Sequence, residues 1–208
     1  MMRPRRSIGW AIIQVNYAEY EDRGRDCLVT LWVLEPTFLF AQAKTSRLFL
    51  LEDTQKKQWC SFNDEASWKA RLQSLLSENV AVLTYANDSL IKVDVTQTDQ
   101  TGDWTVFDSY SIDSGAQLAS LSRLINVLPG DWSVRQTFSI KEGKATKTAA
   151  TVKQLSTGEI VGSPKVDWLP DLPIITNLSL FPFAGLLNRP DLRESHECCV
   201  KMSSAGNP

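Results

Sequence analysis

Residues 193–202 read RESHECCVKM, and no other stretch concentrates so many side chains able to do chemistry. It holds the only histidine, His196, and two of the four cysteines, Cys198 and Cys199. On a helix, His196 and Cys199 are three apart and share a face. On a strand, His196 and Cys198 share one instead. Either conformation offers two ligands where a structural zinc site wants four. Cys27 and Cys60 stand alone elsewhere, so the spacing assigns no metal site, with His196 and Cys199 the weak candidates for one. Two adjacent cysteines and two isolated ones do not read as a disulfide framework either. A Cys–His nucleophile needs a base held rigidly beside the thiol, and a polar terminal segment does not supply that rigidity.

The single histidine limits other reactions. A Ser-His-Asp hydrolase would have to use His196, and no GxSxG elbow accompanies it. Neither GxxxxGK[ST] nor GxGxxG occurs, so no phosphate-cradling loop and no nucleotide cofactor are expected. HExxH is absent as well. Asp94, Asp108 and Asp113 lie on or beside expected strands and are the carboxylates best placed for acid–base work, but no spacing pairs them.

Two stretches suit binding rather than catalysis. Residues 132–155 read as a hairpin, with Trp132, Val134, Phe138 and Ile140 alternating toward a core. Arg135, Lys141, Lys144, Lys147 and Lys153 then face outward as a basic ribbon able to meet phosphates. No aromatic side chain accompanies them to stack on bases, and lysines also serve to protect a sheet edge. Further on, Leu178, Leu180, Phe181, Phe183, Leu186 and Leu187 form an apolar run broken by Pro182. Such a run either docks a partner or straps back onto its own core.

These residues must be positioned by ordinary elements. The chain has 208 residues, 43% of them apolar, with a formal net charge of −2. No global basic field is available for nucleic acid or an anionic membrane. No segment has the roughly 20 apolar residues that span a bilayer. The opening apolar run, 8–13, is six residues long, against roughly 7–15 for a signal core. A soluble, cytoplasmic chain is expected.

Strands are expected over 8–17, 27–35, 38–41 and 47–51. A helix follows from residue 63, capped by Asn63 or Asp64, with Trp68, Leu72, Leu75 and Leu76 on one face. Residues 80–85 and 89–97 return as strands around the Ala86-Asn87-Asp88 turn, and 104–112 form another. A second helix is expected over 114–128. Ser114 and Gln117 make a capping box, Leu118, Leu121, Ile125 and Leu128 make a stripe, and Pro129-Gly130 stops it. The order strand, helix, hairpin then occurs over 47–97 and again over 104–154, which suggests an internal repeat.

The fold class expected is α+β: a mainly antiparallel sheet with two amphipathic helices packed on it, filling 1–162. Residues 163–190 form a Pro-containing strap or docking segment, and 191–208 a flexible polar tail. Absent motifs favour a non-catalytic binding or assembly protein that works through a protein partner or self-association. A small-molecule-binding or enzymatic cup and a nucleic-acid-binding hairpin are the alternatives.

Overall fold

The computed structural model describes residues 44–75, 79–162, 172–187 and 198–201. The strands expected at 8–17, 27–35 and 38–41 lie outside them, as does His196. The first described elements are β1 (Thr45–Asp53), β2 (Gln58–Phe62), α1 (Glu65–Leu75), β3 (Asn79–Ala86), β4 (Ser89–Thr98) and β5 (Trp104–Ile112). They continue with β6 (Leu118–Val127), β7 (Trp132–Lys141), β8 (Lys144–Gln154), β9 (Ile160–Val161), α2 (Ala184–Leu187) and β10 (Cys198–Lys201). All strands pair antiparallel in one sheet, in the order β10-β2-β1-β3-β4-β5-β6-β7-β8-β9.

The expectation of two amphipathic helices is therefore wrong. Apart from the single turn of α2, α1 is the one α-helix among the described residues, and the chain is a mostly antiparallel β protein. Residues 118–127, expected to be helical, form β6 between β5 and β7. The reason is Arg123. Leu121, Arg123, Ile125 and Val127 all point to one face and are all buried. A charge in the middle of that set hides its period of two and leaves the helical spacing of the leucines more visible. The expected cap at Ser114 is a turn built on Asp113, whose Oδ1 accepts from the N–H groups of Gly115 and Gln117, both at 2.9 Å. Without a second helix, the strand–helix–hairpin order occurs once and not twice.

Where turn chemistry was explicit, sequence and structure agree. Asn87 and Asp88 adopt positive φ between β3 and β4, and Glu142 and Gly143 do so between β7 and β8, as two-residue hairpin loops require. Asp64 caps α1, its Oδ1 accepting from Ser67 N–H at 2.7 Å. α1 then carries the chain from β2 across to β3, on the far side of β1.

Each face of the sheet is packed differently. On the outer face, Trp68 and Leu72 of α1 cover Phe49, Leu51, Cys60 and Phe62, with Val80 and Val82 alongside. On the inner face, Leu48, Leu50, Leu83, Val93, Tyr110, Leu121, Phe138 and Ile140 pack against residues 172–187. An aromatic chain runs through that contact. Trp59 of β2 meets Phe183 edge-on at 4.9 Å, Phe183 stacks on Phe181 at 5.0 Å, and Phe181 meets Tyr110 of β5 at 5.2 Å. The strap therefore ties together strands that are not neighbours in the sheet.

Candidate functional site

The docking run expected at 178–187 is distributed as follows. Phe181, Phe183, Leu186 and Leu187 are buried on the chain's own sheet, and Leu178 packs beside them. Leu180 is half exposed. The segment is seated by an ion pair under it. Arg123 donates from Nε and Nη2 to Asp108 at 2.8 and 2.7 Å, with both side chains nearly inaccessible. Its Nη1 donates to the Leu172 carbonyl at 2.8 Å, and Nη2 also reaches the Pro173 carbonyl at 3.2 Å. Tyr110 donates weakly to Asp108 and accepts from Ile175 N–H at 3.3 Å. Burial, with Asp108's charge added, pushes the Tyr110 phenol well above its ordinary pKa and keeps it protonated. Burial opposes the charge on Arg123, yet the bonds to Asp108 hold its pKa above the usual value. Every donor group of the guanidinium is thus engaged, and what it holds is the strap's backbone.

The three candidate carboxylates are kept apart by strand alternation. Asp108 lies on the inner face, opposite Val95. Asp94 lies on the outer face and is paired with Lys92 at 2.9 Å. Asp113 organises the β5–β6 turn. No two of them meet as an acid–base pair.

The basic hairpin exists as β7–β8, and Lys147 is the one of its five basic residues turned to the inner face. Arg135 and Lys153 are on the outer face, and Lys141, opposite Lys144 at the turn end, falls on the same side by alternation. A register shift between Thr137 and Phe138 sets Lys147 opposite Phe138, and its ammonium lies 5.9 Å from that ring. The cysteines also differ from expectation. Cys60 of β2 and Cys199 of β10 stand directly opposite each other and are disulfide-bonded. Cys199 is therefore not free to ligate a metal, and Cys198, a free thiol, points to the other face. Among the described residues no group of three or more metal-ligating side chains occurs.

One surface stands out that composition alone did not reveal. No described element covers the outer face of β4–β8. Lys92, Ser111, Ser120, Ser139 and Thr146 form one line across its five strands. Asp94, Ser109, Ser122, Thr137 and Ala149 form the next. Thr96, Phe107, Leu124, Arg135 and Thr151 make the third, and Thr98, Thr105, Asn126, Ser133 and Lys153 the fourth. Twelve of these twenty positions are Ser or Thr, and the four charges stand on β4, β7 and β8. The adjacent strands β5 and β6 carry no charge there, and β7 on the other side of β6 carries Arg135.

Some hydroxyls satisfy one another: Ser111 with Ser120 at 2.6 Å, Thr137 with Thr148 at 3.0 Å and Thr98 with Thr105 at 3.3 Å. Those of Ser109, Ser122 and Ser139 have no hydrogen bond among the described residues. A shallow hollow of about 570 Å³ lies over these serines, lined also by Ile91; Ile91 and Phe107, on the next register line, are each 40% exposed. The short side chains form the floor, and each free hydroxyl can both donate and accept. Comparison with known proteins finds no matching family model, no matching curated protein and no matching solved structure.

Proposed function

We propose that the chain is a non-catalytic binding protein whose contact surface is the outer face of β4–β8. The observation that carries this reading is the registered block of hydroxyls with no charge on two adjacent strands, β5 and β6. An antiparallel sheet facing only water has no reason to exclude charge from them, whereas the centres of protein interfaces are depleted of charged residues. Hydroxyls give adaptable hydrogen bonding, and Phe107 opposite Leu124 gives an apolar anchor beside them. The partner fitting this surface is a protein that presents uncharged hydrogen-bonding groups and an apolar side chain for the Phe107–Leu124 spot. Nucleic acid fits less well, because the outer basic residues of β7–β8 are spread along the hairpin and no basic residue stands on the outer face of β5 or β6 beside them.

Ser122→Arg places a long charge in the hollow without touching the core. Its expected stability change is within about 0.5 kcal/mol, as for surface positions generally. Partner recovery, quantified by mass spectrometry beside the parent chain, should fall by about tenfold or more, the loss of roughly 1.4 kcal/mol of binding. Undiminished recovery by a folded Ser122→Arg chain refutes the assignment of this face.

No helix among the described residues is long and apolar enough to cross a membrane. Cytoplasmic placement belongs to the same proposal and is read from the oxidation state of Cys60–Cys199. Thiol trapping in intact cells should recover a reduced fraction. Complete oxidation would place the chain in an oxidising compartment instead.

A further inference from the structure

The edge of the sheet beside α1 is closed by β10, a strand of only four residues. Among the described residues it pairs with β2 alone, from Cys198 opposite Ser61 to Lys201 opposite Gln58. Cys198 and Val200 lean on the inner core as partly buried side chains, while Cys199 and Lys201 are exposed. So little packing gives a strand at the low end of local stability. The strap before it has its own anchors, including Tyr85 Oη donating to the Leu187 carbonyl at 3.4 Å. What the Cys60–Cys199 bond adds locally is the attachment of β10.

The two sulfurs of that bond are not equivalent. Cys60 is fully buried under α1 among Phe49, Leu51 and Phe62, and Cys199 belongs to the exposed side of the edge strand. An incoming thiolate can therefore reach Cys199 and not Cys60. Attack at Cys199 makes Cys60 the leaving thiolate, and burial alone would oppose that charge. Gln58 answers this: its Nε2 donates to Cys60 Sγ at 3.7 Å. The neighbouring thiol, Cys198, is no competitor while β10 stays extended, because alternation sends it to the opposite face.

We propose that Cys60–Cys199 is a reducible latch that holds β10 over the edge of β2. A dithiol reductant opens it in two steps. Its first thiolate bonds to Cys199 Sγ, the S–S bond breaks, and Cys60 leaves as a thiolate held by Gln58 until it takes up a proton. The reductant's second thiol then displaces Cys199, which departs as a thiol, and the reductant ends as its own disulfide. Two electrons pass from reductant to protein, and β10 loses its one covalent tie to β2 while keeping its pairing and the partial packing of Cys198 and Val200.

The test uses the full chain and dithiothreitol as the probe. After reduction, Cys60 and Cys199 should both take a thiol label while amides of β5–β7 keep their protection. Backbone amides of β2 and β10 should exchange about tenfold faster or more, as local opening requires. The Cys199→Ser chain should show the same fast exchange without reductant. Gln58→Met should slow reduction by about tenfold, the worth of a hydrogen bond to a charged group. Unchanged protection of β2 and β10 in the reduced chain overturns the latch, as does a bond that opens only when β5–β7 unfold. An unaltered reduction rate in Gln58→Met removes Gln58 from the mechanism.

Discussion

Replacing Arg123 with alanine should destabilise the chain by about 3–5 kcal/mol, the range for removing one partner of a buried ion pair. At roughly 2–4 °C per kcal/mol for a chain of this size, the thermal midpoint falls by about 6–20 °C. The reason is that three acceptors lose their donor together. Asp108 keeps a carboxylate that is nearly inaccessible, and the carbonyls of Leu172 and Pro173 lose the groups that seat the strap. Lysine should not rescue the variant, since one ammonium cannot reproduce the two-pronged contact with Asp108 while also reaching the strap. The double change Asp108→Leu with Arg123→Met is the informative comparison. In an ordinary buried pair such an apolar exchange is often neutral or stabilising. Here it should recover only part of the loss, because the strap carbonyls still lack donors. Thermal melts of the four chains check this, and full recovery by the double variant would show that the carbonyl contacts carry little.

Phe183→Ala should cost a similar amount, about 3–5 kcal/mol, by leaving a cavity at the centre of the inner core. Phe183 is fully buried and lies between Trp59 and Phe181. Its loss breaks the aromatic chain that joins β2 to β5 through the strap. Phe183→Leu should cost markedly less, since it keeps most of the volume. Leu180→Ala, in the same segment but half exposed, should change stability by no more than about 0.5 kcal/mol. Urea unfolding distinguishes these outcomes, and equal effects at 180 and 183 would contradict the strap's orientation.

The parts of the fold legible in the sequence were those whose signals are local. Asp64 at the start of α1, the Asn87-Asp88 turn, and the alternation of Val134, Phe138 and Ile140 in the 132–155 hairpin each depend on a few neighbouring residues. What was not legible depended on register. Arg123 reads as a polar interruption of β6 until Asp108 is known to lie opposite it on β5. Cys60 and Cys199 are 139 residues apart and become a pair only when β10 joins β2. The hydroxyl face left a trace, in the alternating Ser109 and Ser111, Ser120 and Ser122, and Thr137 and Ser139. Those pairs become one surface only when three strands are aligned, and the helix expected over 114–128 removed the middle one.

The face assigned to binding is tested most directly by hydroxyl-radical footprinting of the chain in its native complex and alone. The comparison needs only exposed side chains of similar reactivity on separate surfaces: Phe107 and Ile91 on the outer face, Leu180 on the strap and Ile160 on β9. Binding through the outer face of β4–β8 predicts that Phe107 and Ile91 lose reactivity in the complex, while Leu180 and Ile160 do not. Protection at Leu180 with Phe107 unchanged would contradict it and return the contact to the strap.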